Sequence, residues 1–286
     1  MSDYAVGCDI ELVQELLEMS RADLSVATGI SLPTLNRWVA DPTRASRGNI
    51  ERFYAFAHKR GLRLNAIKAQ LYQEEYSASP RKVLFHGSKS GIEGSVSVER
   101  SRRNNDFGQG FYCGESFAQS AMFVSGFPDS SVYAIAFDEA NLSSAHFAVD
   151  RDWMLTIALH RGRLADYAEH PFVRTLRRRV EEADYVVAPI ADNRMYEIIE
   201  SFADGELTDE QCKHALAATN LGNQYVIRSK KAVGALSFVE HCYVCAPEKK
   251  SYATSREEAS RIGRDKVKAA KRAYRGVGQY IDEVLQ

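Results

Sequence analysis

The hydrophobic pattern of this sequence changes its period once, near residue 80, and that change rules out a single uniform architecture. Residues 9–76 contain no strand-like alternation. Their apolar spacing predicts helices over Asp9 to Glu18, Arg21 to Thr28, Leu32 to Ala40, Asn49 to Arg60 and Leu64 to Glu75. From Lys82 onward, short apolar runs alternate with glycine-rich breaks, as in Val83-Leu84-Phe85, Val132 to Phe137, Tyr185 to Ala188 and Gln224 to Ile227. Those runs predict strands separated by helices and long loops. Ser77-Ala78-Ser79-Pro80 reads as a linker. The expected fold class is α+β, with an all-helical domain over 1–76, a linker over 77–81, a mixed domain of two small facing sheets over 82–246 and a charged helical tail over 247–286.

With 286 residues, 45% of them hydrophobic, the chain can bury one large core or two smaller ones. Asp3 and Asp9 come early, and no apolar run reaches the roughly 18 residues that a membrane span requires. A cytoplasmic location and no membrane partner are the default expectations. Five scattered cysteines do not form a secreted disulfide framework. Cys242-Tyr243-Val244-Cys245 is a lone CxxC, read as two cysteines in a strand, and no metal is expected. A net charge of −1 gives no global attraction to nucleic acid, so such binding requires a local patch. The basic residues after Pro247 are expected to be a solvated helix face.

The segment Asp23 to Trp38 places small Ala27 where two helices would approach, Gly29 at a turn, and Leu24, Ile30 and Leu35 as apolar contacts. It resembles the helix-turn-helix of bacterial repressor-like domains, with Leu32 to Ala40 in the position of the recognition helix. Pro33 falls in the first turn, where a missing N–H costs little. Residues 1–31 hold one basic and six acidic groups, whereas 32–68 hold eight basic and two acidic. That asymmetry makes Arg37, Arg44, Arg47 and Arg52 candidate phosphate contacts on duplex DNA, with Ser31, Thr34 and Asn36 as base-edge or backbone contacts. The same three helices also suit dimerisation, and a homo-oligomer is expected because paired half-sites raise the affinity of such small units.

Three segments of the mixed region carry chemistry. Val83-Leu84-Phe85-His86-Gly87-Ser88 is a strand ending in a histidine and a glycine, where a ligand amide could reach the backbone. Arg100 to Tyr112 combines guanidiniums suited to a pyrophosphate with glycines and an aromatic pair, and an aromatic face can stack on a cationic pyridinium. Leu221 to Ile227 is a glycine turn that leads into a strand through Asn223 and Gln224.

Together these segments resemble the signature positions of the histidine–tyrosine–glutamate class of ADP-ribosyltransferases, relatives of diphtheria toxin and the poly-ADP-ribose polymerases. In particular they resemble an uncharacterised bacterial family of such domains, in which the His-Gly-Ser, Asn-Asn-Asp-Phe-Gly-x-Gly-Phe-Tyr, Pro-Ile-Ala-Asp and Gln-Tyr segments recur in this order over about 160 residues. The resemblance implies a split-sheet domain with flanking helices and NAD as substrate. By position, His86 would bond a ribose hydroxyl, Gly87 would hold the nicotinamide carboxamide and Tyr112 would stack on the ring. Ser88, Asn105, Phe107 and Gly110 would complete the NAD site, and Arg100, Arg102 or Arg103 would meet the pyrophosphate. Gln224 stands where the class usually has glutamate.

In NAD the leaving group is already cationic, so an enzyme must chiefly hold a conformer, exclude water and place acceptors near the developing ribosyl cation. Gln224 can accept a hydrogen bond there but cannot act as a base. An acceptor needing no activation, a base from Glu240 or Asp192, and simple hydrolysis all remain open. The resemblance alone implies a toxin, effector or defence enzyme with an antitoxin or inhibitor protein as partner. An NAD-sensing regulator is the competing class, and Gln224 favours it.

Overall fold

The computed structural model describes residues 4–217 and 221–286; the side chains of Arg44 and Asn193 lie outside the described set. Its elements in chain order begin with α1 (Val6–Leu16), α2 (Arg21–Thr28), α3 (Leu32–Ala40), α4 (Arg47–Lys59), α5 (Leu64–Tyr76), β1 (Arg81–Ser88), β2 (Phe111–Gly114), α6 (Phe117–Val124), β3 (Ser131–Asp138) and β4 (Ser144–His146). They continue with α7 (Arg151–His160), α8 (Pro171–Glu181), β5 (Tyr185–Pro189), α9 (Asn193–Ala203), α10 (Asp209–Ala217), β6 (Asn223–Ile227), α11 (Lys230–Gly234), β7 (Leu236–Cys242), α12 (Ala246–Ala273) and α13 (Ile281–Val284). The expected helices before residue 77 and the four strand runs are all present, so the protein is α+β with a helical N-terminal region.

Two compact units form, and none of the five chain crossings between them falls at the expected linker. One comprises Met1–Ser95, Ser116–Asp138 and Leu236–Arg256; the other comprises Val96–Glu115, Glu139–Ala235 and Glu257–Gln286.

In the first unit, local signals fix α2, α3 and the turn between them. Ser20 and Asp23 form a reciprocal capping box at the start of α2, and Gly29 ends it with φ +67°. Ser31 then accepts from the Thr34 N–H to start α3, whose Leu35 and Trp38 are buried. Leu24 and Ile30 are buried beside them, as expected. Ala27 is exposed, which corrects its expected role. The close helix approach is at Gly7 instead, where a Cβ would lie 2.8 Å from the Trp38 carbonyl oxygen. The sheet of this unit has β3 between β1 and β7, both antiparallel to it. Seven successive residues of β3 are buried, which explains its unbroken apolar run.

The helical head is not separable from this sheet. Tyr243 and Cys245, just beyond β7, belong to the same apolar cluster as Ile10, Trp38 and Phe53. Cys242 ends β7 and Cys245 follows it outside the strand, so only one of the pair is a strand residue. A bulge in β7 lets Ala134 face Glu240 and Ile135 face Phe238. Glu240 is thereby 3% exposed and meets the Lys68 ammonium at 2.5 Å and the Tyr72 hydroxyl at 2.5 Å. Lys68 also bonds Asp9 at 2.7 Å, and Tyr54 donates to the same carboxylate. A buried ionic cluster thus ties α1, α4 and α5 to β7, which is why the chain does not divide at 77–81.

The second unit has the strand order β4, β5, β6, β2, with β4 parallel to β5 and the other pairs antiparallel. Trp153, Val186, Phe202 and Val226 lie in its core. Ile281 and Leu285 are buried in the same core, so the end of the expected tail is structural. Among the described residues, no helix is long and apolar enough to cross a membrane.

Candidate functional site

In the second unit the pairing of β2 with β6 sets Gly114 opposite Gln224 and Tyr112 opposite Val226. Tyr112 and Gln224 thus sit on neighbouring strands. The loop before β2 folds back over them. The Tyr112 hydroxyl accepts from the Phe107 N–H at 3.2 Å and donates to the Gly108 carbonyl at 2.7 Å. Arg228 donates to the Phe107 carbonyl from the other side. Burial, and after it the Asp106 carboxylate, holds the Tyr112 phenol well above its ordinary range, so it stays neutral.

This loop delivers Asp106, which is 6% exposed. One carboxylate oxygen takes the Arg161 guanidinium, with Nε at 3.1 Å and an Nη at 2.6 Å. The other accepts from Nε2 of Gln224 at 3.3 Å, and the same amide donates to the Pro189 carbonyl at 3.1 Å. Gln224 is 7% exposed, and its two hydrogen bonds both run through nitrogen. Its side-chain oxygen is left to accept. A carboxylate could not replace that amide unchanged, because it would face a second carboxylate and a carbonyl with no proton to give.

The other expected contacts divide by environment. Arg102 and Arg103 are exposed and form no ion pair among the described residues, so they are open to an anion. Asn105 spends its amide on the Arg102 carbonyl at 3.0 Å. Phe107 is fully buried and packs on Phe147, so only its backbone can take part in a site. Gly110 lies against β6, where a Cβ would be 2.6 Å from Val226, and packing accounts for it. Gly108 has φ +73° and lies against His160. Burial, then Arg228 and Arg177, lowers that imidazole to about 4, leaving it neutral.

His86, Gly87 and Ser88 belong to the first unit, as the last three residues of β1, where His86 pairs with Tyr133. Gly87 has a local cause: a Cβ there would lie 2.6 Å from the Ser120 carbonyl of α6. Ser88 bonds the Gly91 carbonyl at 2.7 Å. Of the two alternative bases, Glu240 is consumed by Lys68 and Tyr72, and Asp192 caps α9 while bound to Arg194. Both carboxylates are engaged by partners within the fold.

On α3, Arg37 is exposed. Ser31 and Thr34 bond each other, and Asn36 accepts from Arg21 at 3.1 Å. Arg47 pairs with Asp129 at 2.6 Å, Arg52 donates to the Gly29 carbonyl, and Lys68 is buried. The Arg44 side chain lies outside the described residues. The basic excess counted over 32–68 therefore overstates the charge available to DNA.

Sequence reasoning did not single out Asp106, Arg161, Arg228 or His160. Asp106 stood inside the Asn-Asn-Asp-Phe-Gly segment and could have been found there. The others come from α7 and the end of β6 with no local signal.

The fold and this arrangement define an α+β protein with a buried, charge-ordered polar frame where a loop crosses two strands. The chain belongs to the DUF3990 family, described as proteins of unknown function, whose model matches residues 82–238. No curated protein and no solved structure matches the chain.

Proposed function

We propose that the chain is an NAD-dependent ADP-ribosyltransferase that also binds DNA through its N-terminal helices. The observation that carries this reading is the fixed Gln224 amide: Asp106 and Pro189 hold its nitrogen, which leaves its oxygen able to accept from a donor such as a ribose hydroxyl. Tyr112 fits the stacking role, since its hydroxyl is tied down and the residue is only half-buried. Arg102 and Arg103 are suited to the pyrophosphate. The role of His86 rests on the resemblance.

Cleavage of NAD needs no general acid, so a frame that orients the ribose and stabilises positive charge supplies what the reaction demands. A second reading, NAD glycohydrolase, is favoured by the engagement of Glu240 and Asp192 in ion pairs, which leaves neither to activate an acceptor. A toxin, effector or defence role with an inhibitor protein follows the same resemblance, and a homo-oligomeric DNA-bound form follows from the resemblance of the N-terminal helices to a helix-turn-helix.

Incubating the full chain with NAD and analysing the products tests the proposal. Transfer yields free nicotinamide and a labelled macromolecule, whereas the glycohydrolase yields nicotinamide and free ADP-ribose. Binding without turnover would sink both and leave an NAD sensor.

A further inference from the structure

Residues 261–275 hold seven basic residues and one acidic, Asp265, in a chain whose net charge is −1. In α12 they are sorted by face. At 100° per residue, Arg261, Arg264, Lys268 and Arg272 fall within an arc of about 80° and run along about 16 Å of the axis. All four are exposed, and Arg275 follows in the turn beyond the helix. The opposite side is anchored: Val267 and Ala270 pack on the core of the second unit, Tyr274 stacks on His214 at 3.6 Å, and Gln211 donates to the Lys271 carbonyl at 2.9 Å. This is a fixed surface, not a free tail.

Arg261 pairs with Glu258 at 2.7 Å, but Arg264, Lys268, Arg272 and Arg275 have no ion pair among the described residues. A helix face that merely keeps a protein in solution interleaves acids with bases at three- and four-residue spacing. Here like charge repeats at 264/268 and 268/272, and Asp265, four residues after Arg261 and three before Lys268, is the one acid beside the row. Each like-charge pair opposes the helix, and a polyanion laid along the face would relieve both together. No aromatic or aliphatic anchor interrupts the row, whereas the centre of a protein–protein interface is normally built on such anchors.

The row also begins beside the candidate site. Arg194 donates to the Ser260 carbonyl at 2.6 Å and is held by Asp192. That short segment follows directly on Pro189, whose carbonyl holds Gln224.

We propose that this face of α12 binds the sugar–phosphate backbone of a nucleic acid, as a surface separate from the helix-turn-helix. The inference does not depend on NAD turnover. It is tested on the full chain by fluorescence anisotropy with a labelled single-stranded RNA and a labelled DNA duplex of equal length, at salt from about 50 to 200 mM.

The R264Q/K268Q/R272Q/R275Q variant keeps good helix formers and should retain its circular dichroism. It should bind at least one of the two probes more than tenfold more weakly at the lowest salt, with a log K against log salt slope shallower by about 3. The charge-preserving R264K/R272K/R275K variant should bind like the parent, and the slope change should persist when R37E removes the head's contribution. Comparison of the probes shows whether RNA or duplex DNA is preferred. An unchanged slope for both probes in the glutamine variant overturns the proposal. So does competition by polyglutamate as effective as that by nucleic acid, which would assign the face to an acidic protein.

Discussion

The side-chain amide of Gln224 donates to the Asp106 carboxylate across 3.3 Å, and Asp106 in turn holds Arg161. The pair gives a structural reason for an amide at position 224. The carboxylate is already present, supplied by the loop before β2.

Gln224→Glu is therefore expected to lower NAD turnover and not to restore a missing base. The new carboxyl, next to Asp106, would have its pKa raised in the folded state. A raised folded pKa means that stability is lost as pH climbs from the unfolded value of about 4.3 to the folded value. Thermal melts should show the gap to the parent widening over that interval. The double variant Asp106→Asn with Gln224→Glu should close most of it, and a gap of the same size at every pH would refute the pairing.

Tyr112 separates two roles by substitution. Tyr112→Phe keeps the ring but removes both hydroxyl contacts to the loop, at a cost of about 1–3 kcal/mol in denaturant unfolding. Tyr112→Ala should additionally weaken NAD binding by about 1–2 kcal/mol if the ring stacks on a pyridinium. Calorimetric titration with NAD distinguishes them, and equal affinity for the two variants would remove stacking from the account.

Lys68→Ala leaves Asp9 and Glu240 buried without their cation and is expected to cost about 3–5 kcal/mol. Burial disfavours the ammonium, but the two carboxylates outweigh it and hold its pKa above the ordinary value. Its contribution to stability is therefore complete below the ordinary lysine pKa and fades only as pH rises through the raised one. Urea titrations at neutral pH check the cost, and a loss under 1 kcal/mol would mean that the cluster does not tie head to sheet.

Burial raises Glu248 to about 7, against the hydrogen bond from Asn65 and the charges of Lys68 and Arg63. Stability from this group is present at acid pH and is lost as pH rises from about 4.3 to 7, on the order of 3 kcal/mol in total. Glu248→Gln removes that titration while keeping a partner for Asn65. Its melting temperature should exceed the parent's at pH 8 and approach it near pH 4; parallel pH profiles would contradict the assignment.

Arg37 is exposed on α3, whereas Arg47 is paired with Asp129. Arg37→Glu should weaken duplex binding and reduce the salt slope by about 1 or more, and Arg47→Gln should do less. Gel-shift titrations over a salt series measure both, and equal effects would show that the Asp129 pair opens on DNA.

The sequence by itself determined the elements. Apolar period, the Ser20–Asp23 and Ser31 caps and the left-handed turn at Gly29 are local, and local signals placed the helices of 6–76 and the strands at 83, 132, 185 and 224 to within a few residues. It also placed the segments that carry Tyr112 and Gln224. Tertiary structure decided what those side chains touch. Gly87 and Gly110 looked like openings for a ligand and are explained by a helix and a strand packed against them. The Glu240 carboxylate looked available and is spent on Lys68, which lies 172 residues earlier in the chain. Asp106, Arg161 and Gln224 meet only because a loop, a helix and a strand converge, and the division into units follows buried charge and apolar contacts between distant segments. Those contacts leave no periodic mark, since each depends on a partner far away in the chain.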